Sequence, residues 1–390
     1  MVKIIPYGRQ DISDSDIDAV VNVLRSDYLT QGEMVPLFEK SVMDYCICQY
    51  AVAVNSATSA LHIACLALGV GKGDFVWTSP NTFVASANCA LYCNAYIDFV
   101  DIDPLTYNIS VACLTEKLEK AEKLGCLPKV VIPVHFSGQS CDMEKIYLLS
   151  QRYGFKIIED ASHGIGGGYQ GKPIGNCKYS DITIFSFHPV KIITTGEGGM
   201  ALTNNADLAR KMQLFRSHGI TSDIEEMAPR PPDEIWCYQQ INLGFNYRMT
   251  DIAAALGLAQ MKRLNDFVSK RNYIAKRYNE KFKDFPLVIP RQNLDTYSSY
   301  HLYVIRLKLK EITKTQREVF EALRMAGILV NLHYIPVYRQ PYYENIGFKS
   351  GYCLEAEKYY SEAISLPIYF GLSETQQDTV IEELAKVISK

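Results

Sequence analysis

From about residue 50 to 205, short apolar runs alternate with amphipathic stretches. The pattern predicts strands over 51–54, 75–77, 96–100, 129–134, 156–160, 181–185 and 200–203. Between them, helical spacing predicts helices over 58–68, 82–92, 111–123 and 143–153. Strands that alternate with helices in this way build an α/β fold, a mainly parallel sheet covered on both faces. Ligands of such sheets sit beyond the carboxyl ends of the strands, so chemistry is sought in the polar residues that follow them. Those residues are 55–59, 79–83, 135–138, 160–163 and 186–191.

After residue 250 the pattern changes. One long helix is predicted from 250 to about 282, with Ala253, Ala254, Leu256, Leu258 and Met261 along one side. A helix of that length commonly crosses between domains. The reading is therefore a large domain over 1–265, including the N-terminal segment, and a smaller α+β domain over 266–390. The second would hold a strand over 301–307, a helix over 316–325, a strand over 330–333 and two further helices. Charges and prolines in 221–236 predict a surface loop. No internal repeat or low-complexity tract interrupts the chain.

The length of 390 residues agrees with two domains. A net charge of -3 leaves no basic excess for a nucleic-acid partner. The most apolar stretch, 51–70, is broken by Asn55, Ser56, Thr58, Ser59 and His62. A membrane span needs ~20 mostly apolar residues, so none is expected. The N-terminal residues turn polar too soon for a signal peptide, which predicts a cytoplasmic protein. The 11 cysteines contain no pair with two intervening residues. That spacing favours small buried hydrophobes in a reducing compartment over a disulfide framework or a metal site.

Three segments carry candidate chemistry. Asn55-Ser-Ala-Thr-Ser-Ala60 follows a strand and opens a helix, where free amides and the helix dipole suit a phosphate. An ordinary N-cap by Ser56 or Thr58 explains the same residues. Asp160 ends the strand 156–160 and reads as a helix cap, a metal ligand or the partner of a pyridinium nitrogen. No His/Glu pair at metal-ligand spacing stands beside it. Ser186-Phe-His-Pro-Val-Lys191 also follows a strand, and Lys191 sits among Val190, Ile192 and Ile193. Burial lowers the proton affinity of an amine and makes it a nucleophile. In order, the chain offers a phosphate loop, an aromatic ring at Phe83, an acid at Asp160, then Ser186 and Lys191. These are the parts that pyridoxal 5'-phosphate (PLP) needs.

With these segments, and with Glu159-Asp-Ala-Ser-His163, Thr194-Thr-Gly-Glu-Gly-Gly199 and Gly244-Phe-Asn-Tyr-Arg-Met-Thr-Asp251, the chain resembles the DegT/DnrJ/EryC/StrS sugar aminotransferases from about Ile5 to its end. The resemblance implies the aspartate-aminotransferase-like (type I PLP) fold. It implies that Lys191 binds PLP as a Schiff base and acts as the catalytic base. Asp160 would pair the ring nitrogen and Phe83 would stack on the ring. The amides of Ala57 and Thr58 and the hydroxyl of Ser186 would hold the phosphate, and His163 would pack near the cofactor. Asn246 would reach the phosphate of a neighbouring subunit's cofactor, which implies a homodimer with shared active sites. By resemblance alone, Tyr7, Tyr247 and His333 are substrate contacts. His188 touches the sugar, tunes Lys191 or simply packs in its loop, while His135, just past a strand end, could line the pocket. His62, on an apolar helix, reads as structural.

Softer segments, Leu29-Thr-Gln-Gly32, Ser162-His-Gly164, Leu214-Phe-Arg-Ser-His-Gly219 and Val330-Asn-Leu-His-Tyr-Ile-Pro-Val337, resemble members that serve pseudaminic acid biosynthesis. The implied reaction moves an amino group from L-glutamate to C4 of a UDP-linked 2-acetamido-2,6-dideoxy-4-keto-hexose. Alternatives are another UDP- or dTDP-keto-sugar, a PLP-dependent sugar dehydratase, or a non-catalytic relative. The dehydratases of the family replace the lysine with histidine, and Lys191 argues against that reading. Gly164-x-Gly166-Gly-Gly168 lacks the last glycine of a dinucleotide fingerprint, where Tyr169 stands.

Overall fold

A computed structural model describes residues 4–229 and 234–389. Part of the loop expected over 221–236 therefore lies outside the described residues. Seven strands form the main sheet: β1 Tyr50–Val54, β2 Phe75–Thr78, β3 Tyr96–Phe99, β4 Val130–Ile132, β5 Lys156–Asp160, β6 Ile182–Ser186 and β7 Gly199–Thr203. Their order is β1-β7-β6-β5-β4-β2-β3. Strands β2 to β6 pair in parallel, and β7 runs antiparallel to both β1 and β6. Every residue of β6 and β7 is buried, as expected where helices cover both faces.

On one face the helices Ala57–Ala67 and Ala85–Tyr92 pack Leu61, Ile63, Ala87 and Cys89 against Val52, Val76 and Ile184. On the other, Phe38 and Val42 of the helix Met34–Cys46 join Phe185, Met200 and Ala254. The helices Asp14–Leu24 and Met34–Cys46 have no counterpart in the sequence reading. The segment Leu29–Gly32 has a structural job. Buried Asp251 accepts the amides of Gly32 at 2.6 Å and Val35 at 3.0 Å, locking this turn to the start of the helix Asp251–Met261.

Two sequence expectations are corrected here. The long helix over 250–282 is two helices, Asp251–Met261 and Leu264–Lys281. The amides of Lys262 and Arg263 bond three residues back, to Ala259 and Gln260, which tightens the chain out of the α-helix. The Arg263 side chain is meanwhile tied to Asp11 and to buried Asp16. The strand expected over 330–333 lies earlier, at Ile328–Leu329, where it pairs in parallel with Ile5–Pro6. Asn331 keeps only an isolated bridge to Ser365, and its side chain accepts the Leu332 amide at 2.9 Å. That local bond turns the chain away from a ladder and toward the main sheet.

The C-terminal residues place a three-stranded sheet, with Tyr303–Leu307 central between Leu287–Val288 and Ala363–Leu366, against the helices Gln316–Met325 and Glu374–Ile388. Among the described residues, no helix is long and apolar enough to cross a membrane. All 11 cysteines are free, and seven of them are buried.

Candidate active site

A cavity of about 820 Å³ opens at the carboxyl ends of the main-sheet strands. It is lined by ten of the twelve residues singled out in the sequence: Tyr7, Ala57, Thr58, Phe83, Asp160, His163, Ser186, His188, Lys191 and His333. Strand β1 ends at Val54, and Ser56 caps the following helix by accepting the Ser59 amide at 3.1 Å. The cap reading and the phosphate reading of this loop are compatible. The cap uses the Ser59 amide, while the first amides of a helix, here Ala57 and Thr58, have no intrahelical acceptor. Ser186 at the end of β6 borders the same cavity.

The loop depends on Gly199, the first residue of β7. A Cβ there would lie 2.4 Å from the Ala57 amide nitrogen and 2.5 Å from the Ser56 carbonyl carbon, and backbone atoms cannot rotate aside. Gly199→Ala is therefore expected to displace the helix start. Overpacking of this kind costs about 1–3 kcal/mol, which thermal unfolding would register together with weaker binding of phosphate-bearing ligands.

Asp160 is buried and held at both oxygens. Ser86 donates to Oδ2 at 2.6 Å, and the Ser162 amide donates to Oδ1 at 3.1 Å. Thr82 and Ser86 share a 2.7 Å hydrogen bond behind it. Sequence reading missed Ser86, although it stands one turn after Phe83. The helix expected from residue 82 begins at Ala85, and Thr82 and Phe83 instead line the cavity. Phe83 keeps 59% of its surface exposed, a flat apolar face turned to the opening.

Lys191 is partly buried in the cavity wall. Burial lowers its pKa to about 8, and the charge of Asp160 opposes that shift only in part. The unprotonated amine is therefore the major form above about pH 8 rather than above 10.5. The rate at which the apoprotein captures an aldehyde at Lys191 should rise with pH and level off just above 8. Stopped-flow absorbance across pH 6–10 checks this, and a midpoint above 10 would contradict it.

Three imidazoles surround the lysine. His333 Nε2 accepts from Asn331 Nδ2 at 3.4 Å, so its proton sits on Nδ1, which faces Ser365 Oγ at 2.8 Å. Burial first, and the Lys191 charge second, lower its pKa to about 3, so it is neutral. His163 and His301 have ring centroids 4.3 Å apart, and burial depresses both. His301, Tyr334, Asn331 and Glu197 also line the cavity, and the sequence had singled out none of them.

One expectation changes. His135 does not line the cavity. It is fully buried, accepts the Cys141 amide at Nδ1 and meets Glu159 Oε2 at 2.6 Å through Nε2. Successive strand residues point to opposite faces, so Glu159 takes His135 while Asp160 takes the site. Tyr247 lies outside the cavity of its own chain, stacked on Phe245 with its hydroxyl 3.1 Å from His62. Asn246 is also outside, bridged to Ser217. The glycine-rich run 164–168 is a packing feature, since a Cβ on Gly166 would sit 2.5 Å from Val268 Cγ2.

These donors fit PLP. Helix-start amides and a hydroxyl suit its phosphate, a doubly held carboxylate suits its ring nitrogen, and a lysine with weakened proton affinity suits its aldehyde.

Comparison with known proteins agrees with this chemistry. Residues 10–385 match the model of the DegT/DnrJ/EryC1/StrS aminotransferase family. The chain is 37% identical to the UDP-4-amino-4,6-dideoxy-N-acetyl-beta-L-altrosamine transaminase of Campylobacter jejuni, over 99% of this chain and 98% of that one. It is also 37% identical to the spore coat polysaccharide biosynthesis protein SpsC of Bacillus subtilis, over 98% and 97%. Among solved structures it resembles Helicobacter pylori PseC, an aminotransferase involved in the biosynthesis of pseudoaminic acid. That match has a TM-score of 0.90 and 31% identity, over 99% of each chain.

Proposed function

The chain belongs to the DegT/DnrJ/EryC1/StrS aminotransferase family, and on that premise we propose that it moves an amino group from L-glutamate to C4 of a UDP-linked 2-acetamido-2,6-dideoxy-4-keto-hexose, with PLP as cofactor, in pseudaminic acid biosynthesis. The observation that carries the reading is the single cavity that joins Lys191, Asp160, Ser186 and the Ala57–Thr58 helix start. The Campylobacter and Helicobacter relatives support the choice of sugar.

When bound, PLP supplies a carbonyl for the amino group and a ring that draws in electrons. Lys191 would hold that carbonyl between turnovers. Once released, its Nζ would take the proton from the donor's α-carbon and later deliver one to C4 of the sugar. Asp160 would keep the ring nitrogen protonated, and Phe83 would cover the ring. The amides of Ala57 and Thr58 and the Ser186 hydroxyl would hold the phosphate. Tyr7 and His333 line the same cavity and would grip the sugar, and His188, also in its lining, is 4.0 Å from Glu197. The net exchange swaps the amine of L-glutamate for the keto oxygen of the sugar and releases 2-oxoglutarate.

The same proposal includes a homodimer. Asn246 does not line its own cavity, and Ile235, Trp236 and Leu243 nearby in sequence are 91%, 74% and 78% exposed. These features agree with Asn246 reaching a second copy's cofactor phosphate. SpsC, whose name points to a spore coat polysaccharide, favours the second reading, a different nucleotide-linked keto-sugar on the same machinery.

The test is the absorption spectrum of PLP-loaded protein before and after L-glutamate, followed by a panel of UDP-, dTDP- and GDP-linked 4-keto-sugars. A visible band that collapses with glutamate and returns only with the UDP-linked acetamido sugar supports the full proposal. Return with another sugar selects the second reading. A band that ignores every amino donor ends both.

A further inference from the structure

His163 has one ring nitrogen against a group that can only donate. The Ser137 backbone amide points at Nδ1 from 3.3 Å, delivered there by a left-handed backbone at Ser137 (φ 59°). A peptide N–H has no lone pair, so Nδ1 must accept. The proton of the neutral ring then sits on Nε2. That nitrogen lies 3.2 Å from the hydroxyl oxygen of Tyr334. The reverse direction, with Tyr334 donating to Nε2, would set an Nδ1–H against the Ser137 N–H. Burial, with help from the charges of Lys191 and His333, disfavours a protonated His163. The direction of the chain is therefore fixed: Ser137 amide to His163, and His163 to the Tyr334 oxygen. The hydroxyl hydrogen of Tyr334 is left over.

Tyr334 borders the cavity beside Lys191, His163 and Phe83. Its backbone is anchored from behind, with its amide donating to Asn81 Oδ1 at 3.2 Å. Its ring is edged by Phe136 at 6.3 Å and Phe83 at 6.4 Å. Asp160 and Tyr7 are the titratable groups closest in effect, and burial together with them keeps the phenol protonated.

We propose that Tyr334 is a further ligand-contacting residue, whose hydroxyl donates a hydrogen bond to an oxygen of the ligand held at Lys191, with Ser137 and His163 fixing the direction. This rests on the PLP reading above. The acceptor is the cofactor's ring oxygen or an oxygen of the keto-sugar, and both gain from a neutral donor that does not have to reorient.

Two measurements test it. The first uses the protein itself, without cofactor: nitrogen-15 spectra of histidine-labelled protein, with the His163 signals assigned from their loss in His163→Asn. A proton on Nε2 is expected, and a proton on Nδ1 overturns the proposal. The second compares PLP-loaded wild type with Tyr334→Phe, which keeps the ring packing and whose fold is checked by its thermal midpoint. If the acceptor is the cofactor oxygen, losing the donor raises that oxygen's proton affinity at least tenfold, read as an upward shift of one pH unit in the titration of the visible band. If the acceptor is the sugar, the band is unchanged and the half-reaction with L-glutamate is intact, but kcat/KM for the keto-sugar falls at least tenfold. Titration and both half-reactions within twofold of wild type overturn the proposal. A wild type with no visible band would instead overturn the PLP reading, and the ligand role of Tyr334 with it.

Discussion

Lys191→Ala should abolish the glutamate-dependent bleaching of the visible band and lower kcat by about a hundred- to ten-thousand-fold, the range set by the loss of a positioned acid–base group. The expectation follows from where the amine lies. Lys191 shares one cavity with Asp160 and the Ala57–Thr58 helix start, and burial has already weakened its hold on a proton. Arginine would not substitute, because a guanidinium neither loses its proton nor forms the same bond to an aldehyde. Rapid-quench assay of each half-reaction checks the prediction. A Lys191→Ala protein within tenfold of wild-type kcat would show that the proton is moved by another group.

Asp160→Asn is expected to have the next largest effect, roughly a hundred- to thousandfold in kcat, in the range seen when a preorganised electrostatic partner is removed. Asparagine keeps the size of the side chain, with its oxygen free to accept the Ser162 amide and its Nδ2 facing Ser86, whose hydroxyl can turn to accept. What is lost is the negative charge that the proposed function sets against the ring nitrogen. The cofactor should therefore bind, held by its phosphate, yet draw electrons poorly. The discriminating measurement is cofactor affinity alongside turnover. Retained affinity with depressed kcat supports the assigned role. Loss of affinity with normal turnover of the loaded fraction would make Asp160 a binding residue only.

Much of the fold was legible in the sequence for a local reason. Buried parallel strands need apolar runs, and the central strands β4 and β5 have them in Val130–Ile132 and Ile157–Ile158, so the alternation with helices and the sheet class could be read directly. The chemistry at the strand ends was legible because residue types there are constrained. Lys191 stands among aliphatic neighbours, Asp160 ends an apolar strand, and Asn55–Ala60 is built of small polar residues.

Other features depend on partners distant in sequence, and only the tertiary structure decided them. The break at Lys262–Arg263 goes with ties from Arg263 to Asp11 and Asp16, some 250 residues away, and a 3.6-residue period carries no sign of that. Which of Glu159 and Asp160 meets the site is set by the pleat of β5 and by His135 on the opposite side. Ser86 bonds Asp160 across 74 residues of chain, and Tyr334 meets His163 across 171. Sequence fixes which groups exist and which local structure they favour. The direction of a hydrogen bond, the face a carboxylate takes and the proton affinity of a buried amine depend on distances and burial, which exist only once the chain is folded.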